Sequence, residues 1–162
     1  MTSNKDRPRF LLVGSFALSM IKFRRDLLAD LLRRGLEVHV SVPVPQDDGW
    51  IAEEFQSMGV LVHKSPIART GMNPLRDALY FLHLCKLMMT VRPAHVLGYT
   101  IKPIVYGSIA AWLTRVSNRF ALVTGRGYAF EGRRSAFGVG NLALWLYKVS
   151  LRCVQLVFFQ NS

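Results

Sequence analysis

Short apolar runs alternate along the chain with segments whose apolar residues recur every three or four positions. Residues 10–14 form an apolar run ending in Gly14 and predict a buried strand. Residues 19–34 place Met20, Phe23, Leu27, Leu28, Leu31 and Leu32 at helical spacing, and Gly35 stands where a helix C-terminus takes a glycine. Residues 36–42 alternate Val38, Val40 and Val42 with Glu37, His39 and Ser41, a strand pattern. A helix over 48–58 stopped by Gly59 and a short strand over 60–63 follow. Asn73 and Pro74 supply an N-cap and a first helical residue for a helix reaching Val91, before Arg92 and Pro93. Beyond it the pattern predicts a strand over 95–98, a helix over 103–113, a strand over 120–124, a glycine-rich loop over 125–140, a helix over 141–151 and a strand over 154–159.

Strand–helix units in series, closed by a further strand, argue for right-handed crossovers and a parallel sheet. The expected fold class is α/β, a doubly wound parallel sheet of Rossmann-like type. A length of 162 residues fits one domain. In such a sheet ligands sit beyond the carboxyl ends of the strands, where strand order reverses. In the common order that crevice lies between the first and fourth strands. It would hold Gly14, Ser15 and Phe16 on one side and Tyr99, Thr100, Ile101 and Lys102 on the other, with Thr124, Gly125, Arg126 and Gly127 at the end of the fifth strand.

Composition narrows the chemistry. Hydrophobic residues make up 51% and charged residues 19%, enough apolar matter for a core. The net charge is +11, and residues 100–162 carry eight basic side chains against one acidic, Glu131, which makes that part the expected surface for phosphate or an anionic membrane. No signal-peptide core is visible and no run reaches the roughly 18–20 apolar residues of a membrane span, so a soluble or membrane-surface protein of a reducing cytoplasm is expected. Cys85 and Cys153 read as small buried hydrophobes. His39, His63, His83 and His95 lack the i, i+4 spacing and companion ligands of a metal site and read as packing residues.

The turn after the first strand has only the first glycine of a G-x-G-x-x-G fingerprint, which disfavours a nicotinamide or flavin dehydrogenase. No P-loop and no G-x-S-x-G nucleophile elbow occurs. A glycine at a strand end can still bring backbone N–H groups near a phosphate, or be a plain tight turn. Lys102 directly before a helix start adds a charge to an already positive helix N-terminus and invites an anion; a solvated surface ammonium is the other reading. Arg126, Arg133 and Arg134 offer guanidinium forks among Tyr128, Phe130 and Phe137, suited to a phosphate beside an apolar chain, or are simply a basic loop. Arg69 has no evident structural task and is a candidate substrate contact or a surface arginine. The helix after Pro74 is apolar around much of its circumference and is expected to be buried, with contact to a lipid interface as the alternative; Tyr106 and Trp112 are expected in the core. The first helix, with Lys22, Arg24, Arg25, Arg33 and Arg34, is expected to present these as a solvated basic face.

The chain resembles the N-terminal half of a bacterial glycosyltransferase family 4 enzyme of the GT-B fold, the type that builds lipid-linked polysaccharide precursors. The resemblance spans most of the chain. It rests on Gly14-Ser15-Phe16, on Phe23-Arg24, and on Arg69-Thr70-Gly71-Met72-Asn73-Pro74-Leu75-Arg76-Asp77. It continues in Tyr99-Thr100-Ile101-Lys102-Pro103, Tyr106-Gly107-Ser108, Thr124-Gly125-Arg126-Gly127-Tyr128-Ala129-Phe130 and Val157-Phe158-Phe159-Gln160-Asn161. Arg126 stands where the family usually has leucine, and Thr124-Gly125 where many members have a histidine.

The resemblance implies that residues 1–162 are an acceptor-side domain, with the donor-binding C-terminal domain absent from this chain. It implies retaining transfer of a sugar from a nucleotide-sugar, held by a missing or separate C-terminal domain, to a polyprenyl-diphosphate-linked acceptor, without a metal or other cofactor. It places the protein peripherally at the cytoplasmic face of the inner membrane, against anionic lipid. Expected substrate contacts are Gly14, Ser15, Phe16, Arg69, Asn73, Tyr99, Thr100, Thr124, Gly125, Arg126, Gly127 and Tyr128, with Lys102 as a candidate electrostatic stabiliser. The competing expectation is a non-catalytic basic module for anionic membrane or nucleic acid; nucleic acid is disfavoured because no recognised binding motif accompanies the charge.

Overall fold

The computed structural model describes residues 7–44, 49–67, 73–124 and 139–160, the stretch 139–143 by its backbone alone. Strands β1 (Arg9–Val13), β2 (Glu37–Val42), β3 (Leu61–Lys64), β4 (His95–Tyr99), β5 (Asn118–Thr124) and β6 (Leu156–Gln160) form one parallel sheet in the order β3-β2-β1-β4-β5-β6. Helices α1 (Ala17–Arg33), α2 (Gly49–Ser57), α3 (Pro74–Val91), α4 (Ile101–Leu113) and α5 (Val139–Arg152) connect them. This is the doubly wound, Rossmann-like arrangement that the alternating pattern predicts.

Strand periodicity divides the core between the two faces of the sheet. Phe10, Leu12, Leu97 and Tyr99 point to one face and pack with Ala17, Met20 and Leu28 of α1 and Ile51 and Phe55 of α2. Leu11, Val13 and Val96 point to the other and pack with Tyr80, Leu84 and Met88 of α3 and Ala110 and Ala111 of α4. β1 is hydrogen-bonded on both sides, to β2 and to β4, so its residues are sealed: Leu11, Leu12 and Val13 have no exposed surface. A row of rings crosses the first face, with Phe10–His95, His95–Phe120 and Phe120–Phe158 centroids 6.1, 6.4 and 6.3 Å apart.

Two glycines permit the close approaches. A Cβ on Gly14 would lie 2.5 Å from the Tyr99 ring, and one on Gly98 would lie 2.9 Å from the backbone oxygen of Pro103. The first lets the turn after β1 lie against the end of β4. The second lets α4 fold back onto its own strand.

Several boundaries differ from the pattern-based expectation. α4 starts at Ile101 rather than Pro103, because Pro103 occupies the third helical position, where its missing N–H leaves no bond unmade. Lys102 is therefore inside the first turn of α4, not ahead of it. α5 begins at Val139, within the stretch expected to be loop. α3 is buried on one side only, through Asp77, Tyr80, Leu84, Leu87, Met88 and Val91; Leu75, Leu79, Leu82 and Met89 face outward. Trp112 is likewise exposed rather than in the core, and both cysteines are only partly buried. Arg24 lies on the sheet-facing side of α1 with Ala17, Met20 and Leu28, not on a solvated face.

Candidate functional site at the switch between β1 and β4

Strand order reverses between β1 and β4, so α1 and α4 leave toward opposite faces and their starting turns part above the sheet. The structure brings these two turns into contact. Ser15 Oγ and Thr100 Oγ1 share a hydrogen bond of 2.7 Å. The Tyr99 hydroxyl donates to the Phe16 backbone oxygen at 3.2 Å. Gly14, Ser15, Phe16, Tyr99 and Thr100 are thus one assembly. Thr100 holds φ 71° and ψ 156°, a conformation that a β-branched residue adopts only under constraint from its surroundings. Burial raises the pKa of Tyr99, against the opposing pull of the Ser19 hydroxyl and the Arg24 charge, so its hydroxyl stays protonated and a donor.

Lys102 belongs to a second, adjoining cluster built on the first turns of α3 and α4. Its ammonium donates to Asp77 Oδ1 at 2.7 Å, and both side chains are largely buried. The acceptor that Lys102 meets within the described residues is the Asp77 carboxylate, so it is not the solvated surface lysine of the other reading. The remaining ammonium protons can still serve other acceptors. Tyr106 sits beside the pair, its pKa pushed up to about 12 by burial and by the Asp77 charge. Its ring meets that of Tyr80 edge-on at 5.9 Å. Asn73 Oδ1 accepts from the backbone N–H groups of Leu75 and Arg76, so that oxygen is committed to capping α3.

Arg24 forms a third element that sequence reasoning missed. Its guanidinium carbon lies 5.4 Å from the centroid of the Tyr99 ring, and Nη2 donates to Gln160 Oε1 at 2.7 Å at the end of β6. Nη1 donates to the Phe23 backbone oxygen, and Nε is buried without a partner among the described residues. The spacing Ala17, Met20, Arg24, Leu28 was a legible signal, since it puts Arg24 on the apolar stripe of its helix. Asp77 gave no such signal, because an acidic residue in a first helical turn is expected from the dipole alone.

Thr124 ends β5 opposite Gln160 and is half-buried. Arg69, Gly125, Arg126, Gly127 and Tyr128 lie outside the described residues, as do Arg133, Arg134 and Glu131. Among the described residues no group of three or more His, Cys, Asp or Glu side chains could hold a metal ion, and no helix is long and apolar enough to cross a membrane.

The glycosyl transferase 4-like family model matches residues 11–161. The chain belongs to the glycosyl transferase 4-like family. The match includes the β1 and β4 turns and reaches past the end of β6. The chain is 26% identical over 149 residues to the N,N'-diacetylbacillosaminyl-diphospho-undecaprenol alpha-1,3-N-acetylgalactosaminyltransferase of Campylobacter jejuni, which covers 89% of this chain and 38% of that protein. Among solved structures, Acinetobacter baumannii MurG superposes with a TM-score of 0.62 at 12% identity, covering 96% of this chain and 42% of MurG. A UDP-N-acetylglucosamine 2-epimerase superposes with a TM-score of 0.65 at 14% identity, covering 95% and 42%. These two likenesses are of fold. The family 4-like chain thus spans less than half the length of these three proteins.

Proposed function

We propose that this family 4-like chain is the acceptor-binding side of a GT-B glycosyltransferase. In this reading a sugar passes with retention from a nucleotide-sugar to a polyprenyl-diphosphate-linked acceptor, in surface polysaccharide synthesis at the cytoplasmic face of an anionic membrane. The nucleotide-sugar is held by a C-terminal domain outside residues 1–162. The family membership and the lipid-diphosphate substrate named for the Campylobacter relative support this reading. The observation that carries it is the 2.7 Å contact between Ser15 and Thr100. It brings two hydroxyls together beside the N-terminal ends of α1 and α4 at the switch point, and donors and helix dipoles of that kind favour an anionic head group.

In this reading Ser15 and Thr100 bind and orient the acceptor head group, and the backbone of Gly14 and Phe16 shapes its seat. Tyr99 supports the turn from below. Asp77 is a positioning residue that holds the Lys102 ammonium in place, and Lys102 supplies positive potential toward charge developing at the transfer. Arg69, Thr124, Gly125, Arg126, Gly127 and Tyr128 complete the acceptor contacts, with Asn73 contributing through the amide group left free by its cap.

The test is a binding titration of the chain in detergent micelles. One arm uses a polyprenyl-diphosphate-linked sugar and the other a nucleotide-sugar. The acceptor is expected to bind, with Ser15→Ala and Thr100→Ala each weakening it about fivefold, as loss of one hydrogen bond predicts. Binding of the nucleotide-sugar with indifference to the acceptor would overturn the assignment.

A further inference from the structure

Arg24 puts a cation where the pattern of its helix calls for hydrocarbon. It shares the sheet-facing stripe of α1 with Ala17, Met20 and Leu28 and is only 9% exposed. Among the described residues no carboxylate pairs with it. A leucine or methionine would fill that stripe without the desolvation penalty of a buried charge. What the guanidinium adds is direction. Its planar fork sets its donors at fixed angles, and two of them are engaged: Nη1 with the Phe23 backbone oxygen and Nη2 with Gln160 Oε1 on β6. The group is thereby held in place over the Tyr99 ring.

Tyr99 stands between Arg24 and the switch point. A Cβ on Gly14 would lie 2.5 and 3.2 Å from two atoms of its ring, so the ring edge fills the space a side chain at position 14 would need. Its hydroxyl donates to the Phe16 backbone oxygen at 3.2 Å. Between these two contacts in the chain is Ser15, whose Oγ meets Thr100 Oγ1, and Thr100 directly follows Tyr99. Both hydroxyls of the proposed acceptor seat are therefore carried on backbone that the Tyr99 ring braces, and a tilt of the ring displaces them. Attraction between a cation and a ring face resists such a tilt, because it depends on orientation in a way that aliphatic packing does not.

We infer that Arg24 is a positioning residue for acceptor binding: acting through the Tyr99 ring, it holds Ser15 and Thr100 in the arrangement that the acceptor head group meets. This deepens the proposed function and rests on its reading of the switch point as the acceptor site. Arg24 does not itself touch the ligand. Its Nε is buried, and Nη1 and Nη2 are turned to Phe23 and Gln160.

Titration of the chain in detergent micelles with undecaprenyl-diphosphate-linked N-acetylglucosamine tests this. Arg24→Met should weaken binding about fivefold, and Tyr99→Phe by a similar factor. The double variant should bind no more weakly than the weaker single one, because both act along one route. Arg9→Met is the control. Arg9 also bridges elements, donating to Glu37 and to the Val91 backbone oxygen, but at the amino end of β1. It should lower the urea midpoint and leave acceptor affinity unchanged, as a purely structural arginine does. Gln160→Ala, at an exposed residue, frees Nη2 and should weaken binding about twofold. It carries the test if circular dichroism shows Arg24→Met unfolded. Wild-type affinity in Arg24→Met, or in Gln160→Ala where that variant stands in for it, overturns the inference and leaves the proposed function standing. Losses that multiply in the double variant overturn it too, as does an equal loss in Arg9→Met. A wild type that does not bind the acceptor overturns the proposed function and this inference with it.

Discussion

Arg24 and Gln160, at opposite ends of the chain, meet through a 2.7 Å hydrogen bond that runs above the end of β4. The guanidinium lies over the Tyr99 ring on its way, so one side chain links α1, β4 and β6. Arg24→Ala loses the stacking and the charged hydrogen bond and is expected to destabilise the chain by about 2 kcal/mol. Gln160→Ala removes only the bond. A double-mutant cycle by urea denaturation should return a coupling of about 1 kcal/mol, and a coupling near zero would show that the two side chains do not depend on one another.

Asp77→Ala leaves the Lys102 ammonium largely buried with its charge uncompensated. The expected loss is about 3 kcal/mol, as for other broken buried pairs. Replacing both partners, with Asp77→Leu and Lys102→Met, should recover most of that stability while leaving the site without its cation. Denaturation midpoints of the single and double variants measure this directly.

Two glycines in neighbouring elements should respond in opposite directions. Gly98→Ala sets a Cβ 2.9 Å from the Pro103 backbone oxygen, which cannot swing aside, so a loss of roughly 1–3 kcal/mol is expected. Gly107→Ala meets nothing nearer than Val13 at 3.9 Å and sits in the middle of α4. There alanine should stabilise by about 0.5–1 kcal/mol. Equal effects at the two positions would contradict the close packing of α4 on β4.

Acid should unfold the protein in two stages. The His63 pKa is lowered by burial and then by the nearby His39 and His83 charges, and that of His83 by burial and then by Lys86. The folded state therefore binds fewer protons than the unfolded one as the pH falls below the ordinary histidine value of 6.5. Stability is full above that value and is lost as the pH drops through the lowered folded-state values. Glu37 adds a second loss, since its hydrogen bond from His39 holds its pKa below the usual 4.5. Thermal melts over a pH series should show both, and His63→Gln should flatten the upper stage only.

The architecture was legible because each strand carried its own period and each helix its own stop. Val38, Val40 and Val42 announced a strand, and Asn73 with Pro74 announced the start of α3 to the residue. The switch point between β1 and β4 followed from topology, and the Ser15 and Thr100 side chains meet there. Pairings that depend on side-chain reach were not legible. Nothing in the local pattern says that Lys102 crosses to Asp77, or that Arg24 spans the end of β4 to Gln160. The apolar row of α3 was visible as leucines, but periodicity cannot tell a helix buried on two sides from one that is greasy toward solvent. Arg69 and the arginines after β5 lie outside the described residues, and their roles stay with the proposal.

Keeping a threonine at position 100 is a conformational burden, because its left-handed backbone costs of order 1–3 kcal/mol that packing elsewhere must offset. Glycine would tolerate that geometry and yield a protein that melts later. Random libraries screened for heat resistance should therefore converge on codon 100, and the survivors should be the ones that have given up a hydroxyl at the mouth of the crevice.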